Sequence, residues 1–444
     1  MKKIKTEALF ELARGKNIKD IEVYFGDSKS FNVRVSDGKV EHLSIEENSG
    51  LSVRGIYKRS MGYIYTEKLN ELNPEELVAG LQENAEIMEA SEKEEIHFDN
   101  KHCKALELKN PNLEEVSEKE KIEFALEMEK NAFLVDKRIE AVDYCLFGES
   151  LGGRMIKNSK GLDLYEEKNI AFAYVSTVAR EGETVKTGSA YMVSNRFNDF
   201  DASSLAEEAA GKAIEQLGAK SIASGPMKTL LSNEVSASLL QAFSSVFSGE
   251  NVQRNLSLLK GKIGKSIGVK NLSIIDDPFL CNKAGSRKFD DEGTCTVKTN
   301  IVEDGVLKTF LHNKKTGGKE GVPSTGNAYK ASYKSPVSIA PTNFFISPGS
   351  VSLDEAMNEM VEGIYINDVQ GLHAGLNAVS GDFSLSATGF VVCEGKKTDA
   401  VHQITIAGNF FEMLMDIETI CSDLKFIMPG SGHVGSPSIL IGKL

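Results

Sequence analysis

The chain has 444 residues, 41% of them hydrophobic and 26% charged, a composition that excludes disordered, fibrous and collagen-like classes. A formal net charge of −13 argues against a general nucleic-acid binder, which needs a basic face to displace phosphate counterions. At about 150 residues per domain, the length predicts roughly three domains.

In chain order, Leu9, Phe10, Leu12 and Ala13 predict a short amphipathic helix, and Ile21 to Phe25 and Phe31 to Val35 alternate as two strands. Asp37-Gly38 is a hairpin signal, and Gly50 to Gly55 and Met61 to Tyr65 supply further strands. Asn73-Pro74-Glu75-Glu76 sets a cap, an N1 proline and an acidic first turn before a helix running to about Met88. A polar stretch from Ala90 to Leu113 reads as a linker. The order then recurs: a helix from Ser117 to Phe133, strands from Arg138 to Ala190, and a helix from Ser203 to Leu217 capped by Asp201.

Ser224-Gly225-Pro226 marks a boundary, after which Glu234 to Phe247 reads as a helix. From Leu272 onward, short β-rich runs alternate with glycine and proline turns, and only Leu353 to Glu362 and Asn409 to Ile420 look helical. The expected fold is α+β. Two helix/strand subdomains, 1–100 and 101–223, precede a β-rich domain, 224–444, built on a large, curved, mostly antiparallel sheet.

Met1-Lys2-Lys3-Ile4-Lys5 is not followed by the apolar core of a secretory signal, and no run approaches the ~18 apolar residues of a membrane span. The six cysteines form no CxxC pair, which predicts reduced thiols and a cytoplasmic protein.

Several motifs invite a chemical reading. Gly430-x-Gly432-x-x-Gly435 spells the dinucleotide fingerprint, but only nine residues follow it, too few for the required helix and second strand. Gly264-Lys265-Ser266 lacks the leading glycine of a phosphate loop, since Leu259 stands there. Asp276-Asp277 and Asp290-Asp291-Glu292 read best as turn residues and caps beside Pro278 and Gly293. Serine offers no Gly-x-Ser-x-Gly elbow, and the seven histidines include no His-Glu-x-x-His pair. His97, His102 and Cys103 cluster in the linker, where little hydrophobic framing would hold a metal.

A set of short motifs in fixed order is more specific. It comprises Asn158-Ser159-Lys160-Gly161, Gly261-Lys262-Ile263-Gly264, Asp276-Asp277-Pro278, Phe289 to Gly293, Gly305 to Lys308 and Ser324 to Asn327. It continues through Gly375 to Ser384, Ala407-Gly408-Asn409 and Gly430 to Ser438. With these the chain resembles the TldD/PmbA family, the so-called modulators of DNA gyrase, over most of its length.

The resemblance implies a choice between zinc peptidase subunits and partners that have lost the zinc. The zinc subunits hold the metal with a His-Glu-x-x-x-His helix before the Gly-Lys-Ile-Gly motif and a cysteine near the C-terminus. By that alignment Gln241 stands for the first histidine, Ala242 for the glutamate and Val246 for the second histidine. Met428 to Ser438 contains no cysteine, and His433 is the sole potential ligand there. No catalytic or metal-binding residue is therefore expected, and no cofactor in this chain.

The resemblance is to the PmbA (TldE) branch. It implies a noncatalytic subunit, heterodimeric with a TldD-like zinc subunit in a cytosolic assembly that processes small or unfolded peptides, or homodimeric with itself. An extended peptide is the expected ligand, with neither nucleic acid nor membrane as partner. Gln241, Ala242, Val246, Asn377, Ser380, Asp382, Asn409 and His433 are the candidate cavity or interface residues. Two other readings stand beside this one: a self-sufficient homodimeric peptide-binding protein, and a hydrolase with an unrecognised site, for instance a zinc site through His433 and His373.

Overall fold

The computed structural model describes residues 6–87, 95, 96, 98 and 102–444. The first half is one antiparallel sheet of six long strands: β1 (Ile21–Ser36), β2 (Lys39–Tyr57), β3 (Ser60–Thr66), β4 (Ile139–Asn158), β5 (Asp163–Glu181) and β6 (Thr184–Ser194). Their order is β3-β2-β1-β4-β5-β6, so the two helix/strand units meet where β1 pairs with β4. Asp37 and Gly38 close the β1–β2 hairpin with φ of 52° and 68°, the left-handed pair that a tight hairpin turn requires.

The two strands expected at 21–25 and 31–35 are a single strand. Gly26 to Ser30 stays extended because both of its edges are hydrogen-bonded, to β2 on one side and β4 on the other.

Helices α1 (Thr6–Gly15) and α2 (Pro74–Ile87) cover one half of this sheet, burying Leu9, Ala13, Leu77 and Leu81 against Val23 and Val53. After the short α3 (Pro111–Glu115), α4 (Glu118–Val135) and α5 (Ala202–Glu215) cover the other half with Phe124, Met128, Leu205 and Ala209. Ser117 and Glu120 form a capping box at the start of α4, and Asp201 accepts the Ser203 and Ser204 amides at the start of α5.

The second half contains α6 (Asn233–Phe243), α7 (Gly249–Gln253), α8 (Lys314–Glu320), α9 (Leu353–Met360) and α10 (Phe410–Met415). Its first strands are β7 (Thr229–Leu231), β8 (Ile274–Asp276), β9 (Thr299–Glu303), β10 (Val306–Leu307), β11 (Ala328–Tyr329), β12 (Ser338–Ile339) and β13 (Asn343–Ile346). They are followed by β14 (Gly363–Gln370), β15 (Asp382–Cys393), β16 (Lys396–Asn409), β17 (Ile417–Ile420), β18 (Lys425–Phe426), β19 (His433–Ser436) and β20 (Ile439–Ile441).

These strands form two six-stranded sheets, β10-β9-β8-β13-β19-β18 and β16-β15-β14-β7-β20-β17, plus the β11-β12 pair. Only β13 with β19 and β14 with β7 run parallel, so this half is mostly antiparallel. A single core joins both sheets, with Leu239, Leu240 and Phe243 of α6 packed among Phe344, Ile366, Phe410 and Val434. The α+β class with a β-rich C-terminal half is what the sequence predicts.

Two expectations are corrected. The helix over Asn409 to Ile420 stops at Met415, and Ile417–Ile420 pairs with β20, where Ile417 and Ile420 are buried β-branched residues suited to a strand. Cys421 therefore follows a strand, buried, and is not helical. The cysteines are also not all reduced thiols. Cys103 and Cys295, 192 residues apart, form a disulfide that ties the linker to the hairpin around Asp290. Sequence spacing could not show this, because a sheet and several helices intervene. Among the described residues, no helix is long and apolar enough to cross a membrane.

Candidate functional site

A cleft of about 400 Å³ lies between the long sheet and the loops of the second half. One wall is strand surface: Tyr24, Gly26 and Asp27 of β1, Gly152 to Arg154 of β4, and Glu166 and Lys168 of β5. Facing it are Ala284, Gly285, Arg287, Asp291, the segment Tyr329–Tyr333 and the loop Pro429–Gly432. Glycine permits the close approach of the two walls. A Cβ on Gly50 would come within 2.2 Å of the Tyr333 ring, so that ring rests directly on the sheet.

The acidic run Asp290-Asp291-Glu292, expected as turn residues and caps, is buried, and Asp291 lines this cleft. Asp290 does cap its turn, accepting the amides of Glu292 and Thr294, but it also accepts Ala328 N–H at 3.1 Å and so pins the facing strand. Asp291 points the other way. It accepts hydrogen bonds from Arg154, from the Tyr24 hydroxyl at 3.1 Å and from Lys330 N–H at 2.8 Å.

Arg154 is the hub, bonded also to Glu166 at 2.6 Å and to the Phe289 carbonyl. Although burial disfavours its charge, Glu166 and Asp291 hold the guanidinium firmly protonated, and burial beside Asp291 pushes the Tyr24 phenol far up. Asp276 is also fully buried, accepting Asn327 Nδ2 and Thr342 N–H at 2.7 Å each, and burial raises its carboxyl to about 6. Asp277 is a plain turn cap for Phe279 N–H.

The candidate residues divide into three groups. Gln241 and Ala242 lie half-buried on α6, which packs against β19, and a Cβ on Gly430 would stand 3.3 Å from Gln241 Nε2. The helix thus meets the C-terminal loop whose Pro429–Gly432 lines the cleft. Val246 does not join them. It sits in a 3-10 turn after α6, fully buried in the core.

His433 is buried on β19 against Phe426, its ring 4.9 Å from that phenyl. Its Nδ1 accepts Ala284 N–H at 3.1 Å, which leaves the ring proton on Nε2, itself buried without a partner. Desolvation and the nearby Lys283 push its pKa down to about 4, so the imidazole is neutral. His373, by contrast, is exposed in the loop after β14.

The third group, Asn377, Ser380, Asp382 and Asn409, forms one turn cluster at the end of the β15–β16 hairpin. Asn377 accepts the amides of Val379 and Ser380, while Asn409 caps α10 and donates to Ser380 O and Asp382 Oδ1 at 2.9 Å each. None of the four is among the residues that line the cleft.

The zinc that the resemblance implies in catalytic subunits does not fit here. The aligned positions carry an amide, a methyl and a core valine, and the one histidine presents an N–H, not a lone pair, at its free nitrogen. Among the described residues, no group of three or more His, Cys, Asp or Glu side chains could hold a metal. The linker cluster fares no better: His97 lies outside the described residues, and the Cys103 sulfur is bonded to Cys295.

Residues 21–88, 111–217 and 224–444 match, in order, the family models described as PmbA/TldA metallopeptidase domain 1, central domain and C-terminal domain. A Thermotoga maritima crystal structure, described as a modulator of a DNA gyrase, superposes with a TM-score of 0.91 at 32% identity, covering 99% of this chain and 98% of that one. The chain belongs to the PmbA/TldD family. A metalloprotease of Methanocaldococcus jannaschii is 28% identical over 99% of this chain and 96% of its own length. Metalloprotease PmbA of Escherichia coli O157:H7 is 26% identical, with 96% and 92% covered. TldE from Thermococcus kodakarensis shares the fold at a TM-score of 0.89 and 23% identity, with 99% of each chain covered.

Proposed function

We propose that this chain is a noncatalytic, TldE/PmbA-like partner subunit of a TldD-type zinc peptidase assembly that handles small or unfolded peptides. The observation that carries the reading is the corner between α6 and β19. The family's helix and C-terminal loop are brought together there, Gln241 beside Gly430, with side chains that cannot ligate zinc or act as its general base.

The chain's own contribution is binding and enclosure. An extended peptide laid across the glycine-lined sheet face at Gly152 and Gly153 would find its hydrogen-bonding partners in the polar side chains of the cleft, because the backbone groups of this central strand are already paired with β1 and β5. Asn377, Ser380, Asp382 and Asn409, which lie away from the cleft, belong to the proposed contact with the zinc subunit or with a second copy.

Metal analysis and peptidase assays on the purified chain test this, alone and after mixing with the zinc-bearing relative from the same cell. The expected result is no stoichiometric zinc, no cleavage alone, and co-elution with an active zinc subunit. Stoichiometric zinc with chelator-sensitive cleavage by this chain alone would overturn the proposal. A stable, inactive homodimer that ignores the zinc subunit would replace it with the self-sufficient binding protein.

A further inference from the structure

The cleft is unbalanced in charge. Four cations line it, Arg154, Lys168, Arg287 and Lys330, against three carboxylates, Asp27, Glu166 and Asp291, in a chain whose net charge is −13. The carboxylates are largely committed. Glu166 accepts Arg154 and, at 2.9 Å, Lys288 N–H, and Asp291 accepts Arg154, Tyr24 and Lys330 N–H.

Three of the cations are not matched in this way. Arg287 is 7% exposed, its Nε has no partner, and its two terminal nitrogens reach only the Ala328 and Ala340 carbonyls at 3.4 Å. The buried carboxylates of Asp276, Asp290 and Asp291 act on it through space, but among the described residues none comes within ion-pair distance of the guanidinium. The Lys168 ammonium donates to the Ala284 carbonyl at 3.2 Å. Lys330, 6% exposed, donates to the Ser52 hydroxyl and lies over the Tyr24 and Tyr63 rings at 4.5 and 4.7 Å.

A buried guanidinium with long carbonyl contacts and an orphaned N–H is costly unless an anion completes it, and its planar fork suits a carboxylate. On the strand wall, Asp27 Oδ1 is buried without a donor, positioned to accept an N–H. Anion acceptor and amide acceptor thus face one another across a cleft wide enough for a short extended chain.

We propose that the cleft selects peptide segments bearing a carboxylate, from an acidic side chain or a chain terminus, seated on Arg287 with Lys168 at the rim while Asp27 takes a ligand N–H. This rests on the peptide-binding reading above and adds its specificity. Lys330 and Arg154 keep the two walls in register.

Calorimetric titration of the full chain with three acetylated pentapeptides tests it. One carries a central Glu and an amidated end, one a central Gln and a free carboxylate, and one a central Gln and an amidated end. At least one charged peptide is expected to bind about tenfold or more tighter than the neutral one, the range of a charge-assisted hydrogen-bond pair, and whichever does so names the source.

Arg287→Gln should shrink that preference to about twofold or less. Lys168→Gln, at an exposed position that tolerates change, should reduce it partially and flatten its salt dependence. Equal binding of all three peptides, or a preference that survives both substitutions, would sink the specificity while leaving peptide binding intact. Inorganic phosphate competing as well as the charged peptides would also sink it, in favour of a generic anion site. No binding of any peptide, alone or with the zinc subunit, would overturn the peptide-binding reading itself.

Discussion

The corner between α6 and β19 and the cleft beside it are neighbours that solve opposite problems. At the corner, Gln241 and Ala242 offer only an amide and a methyl, and the helix that carries them is held by the apolar contacts of Leu239, Leu240 and Phe243. In the cleft, buried charges persist and are held by one another. Buried ionic groups are expensive to keep, whereas a metal site stripped of its ligands can be filled by ordinary packing.

The largest effect that would break this contrast is at Arg154. Arg154→Met should destabilise the fold by about 3–5 kcal/mol in urea unfolding, because Glu166 and Asp291 would be left buried without their shared cation. Phe243→Ala at the corner, which removes a ring stacked 4.6 Å from Phe410, should cost a similar ~3–5 kcal/mol by cavity formation alone. The two are separated by pH: acidification that protonates the orphaned carboxylates should restore part of the Arg154→Met loss and none of the Phe243→Ala loss. Equal responses would dissolve the distinction.

Reduction of the Cys103–Cys295 disulfide, or Cys103→Ser, should lower stability by about 2–4 kcal/mol and speed proteolysis near the hairpin that carries Asp291. A reduced protein with unchanged unfolding would show that the hairpin is held without it.

The pH dependence has opposite signs in the two regions. The folded pKa of Asp276, behind the cleft, is about 6 and lies above its unfolded value of ~3.9, so its contribution falls as pH rises from about 4 to 6 and is constant above. The folded pKa of His433 is about 4 and lies below its unfolded value of ~6.5, so its contribution rises between pH 4 and 6.5. Each is worth a few kcal/mol at most. In thermal melts, Asp276→Asn should leave a profile that climbs over this window, and His433→Gln one that declines. The reverse slopes would reject the assignment.

The smallest expected effect is on activity. Gln241→His with Ala242→Glu should yield no chelator-sensitive cleavage in a fluorogenic peptide assay, because neither a second histidine nor a thiolate would complete the ligand set. Measurable turnover would mean that the corner is closer to catalysis than its packing suggests.

What could be read from the sequence was local. Asn73, Asp201 and Asp37-Gly38 each act on backbone groups within a few residues, and each does in the structure what its type predicts. Gln241, assigned to a helix from its neighbours, does lie on one, and its Nε2 stands beside Gly430.

What could not be read was distant. Asp291 meets an arginine 137 residues away, Cys103 a cysteine 192 residues away, and nothing in either neighbourhood encodes its partner. Ile417 to Ile420 was misread as helix because the strand that claims it, β20, lies near the end of the chain. Val246, aligned with the second histidine of the family motif, lies in the 3-10 turn that follows α6 and is packed in the core, a placement that the motif alone does not encode.

The pairing of β1 with β4 has a further consequence for how the protein opens. Fourteen consecutive residue pairs, from Glu22 with Asn158 to Val35 with Cys145, join the two family-defined segments across a linker. Amide protons on both sides of that seam should exchange as one cooperative unit, not as two foldons. A fragment ending before β4 would expose the full edge of β1 as an adhesive strand, open to pairing with the same edge of another molecule.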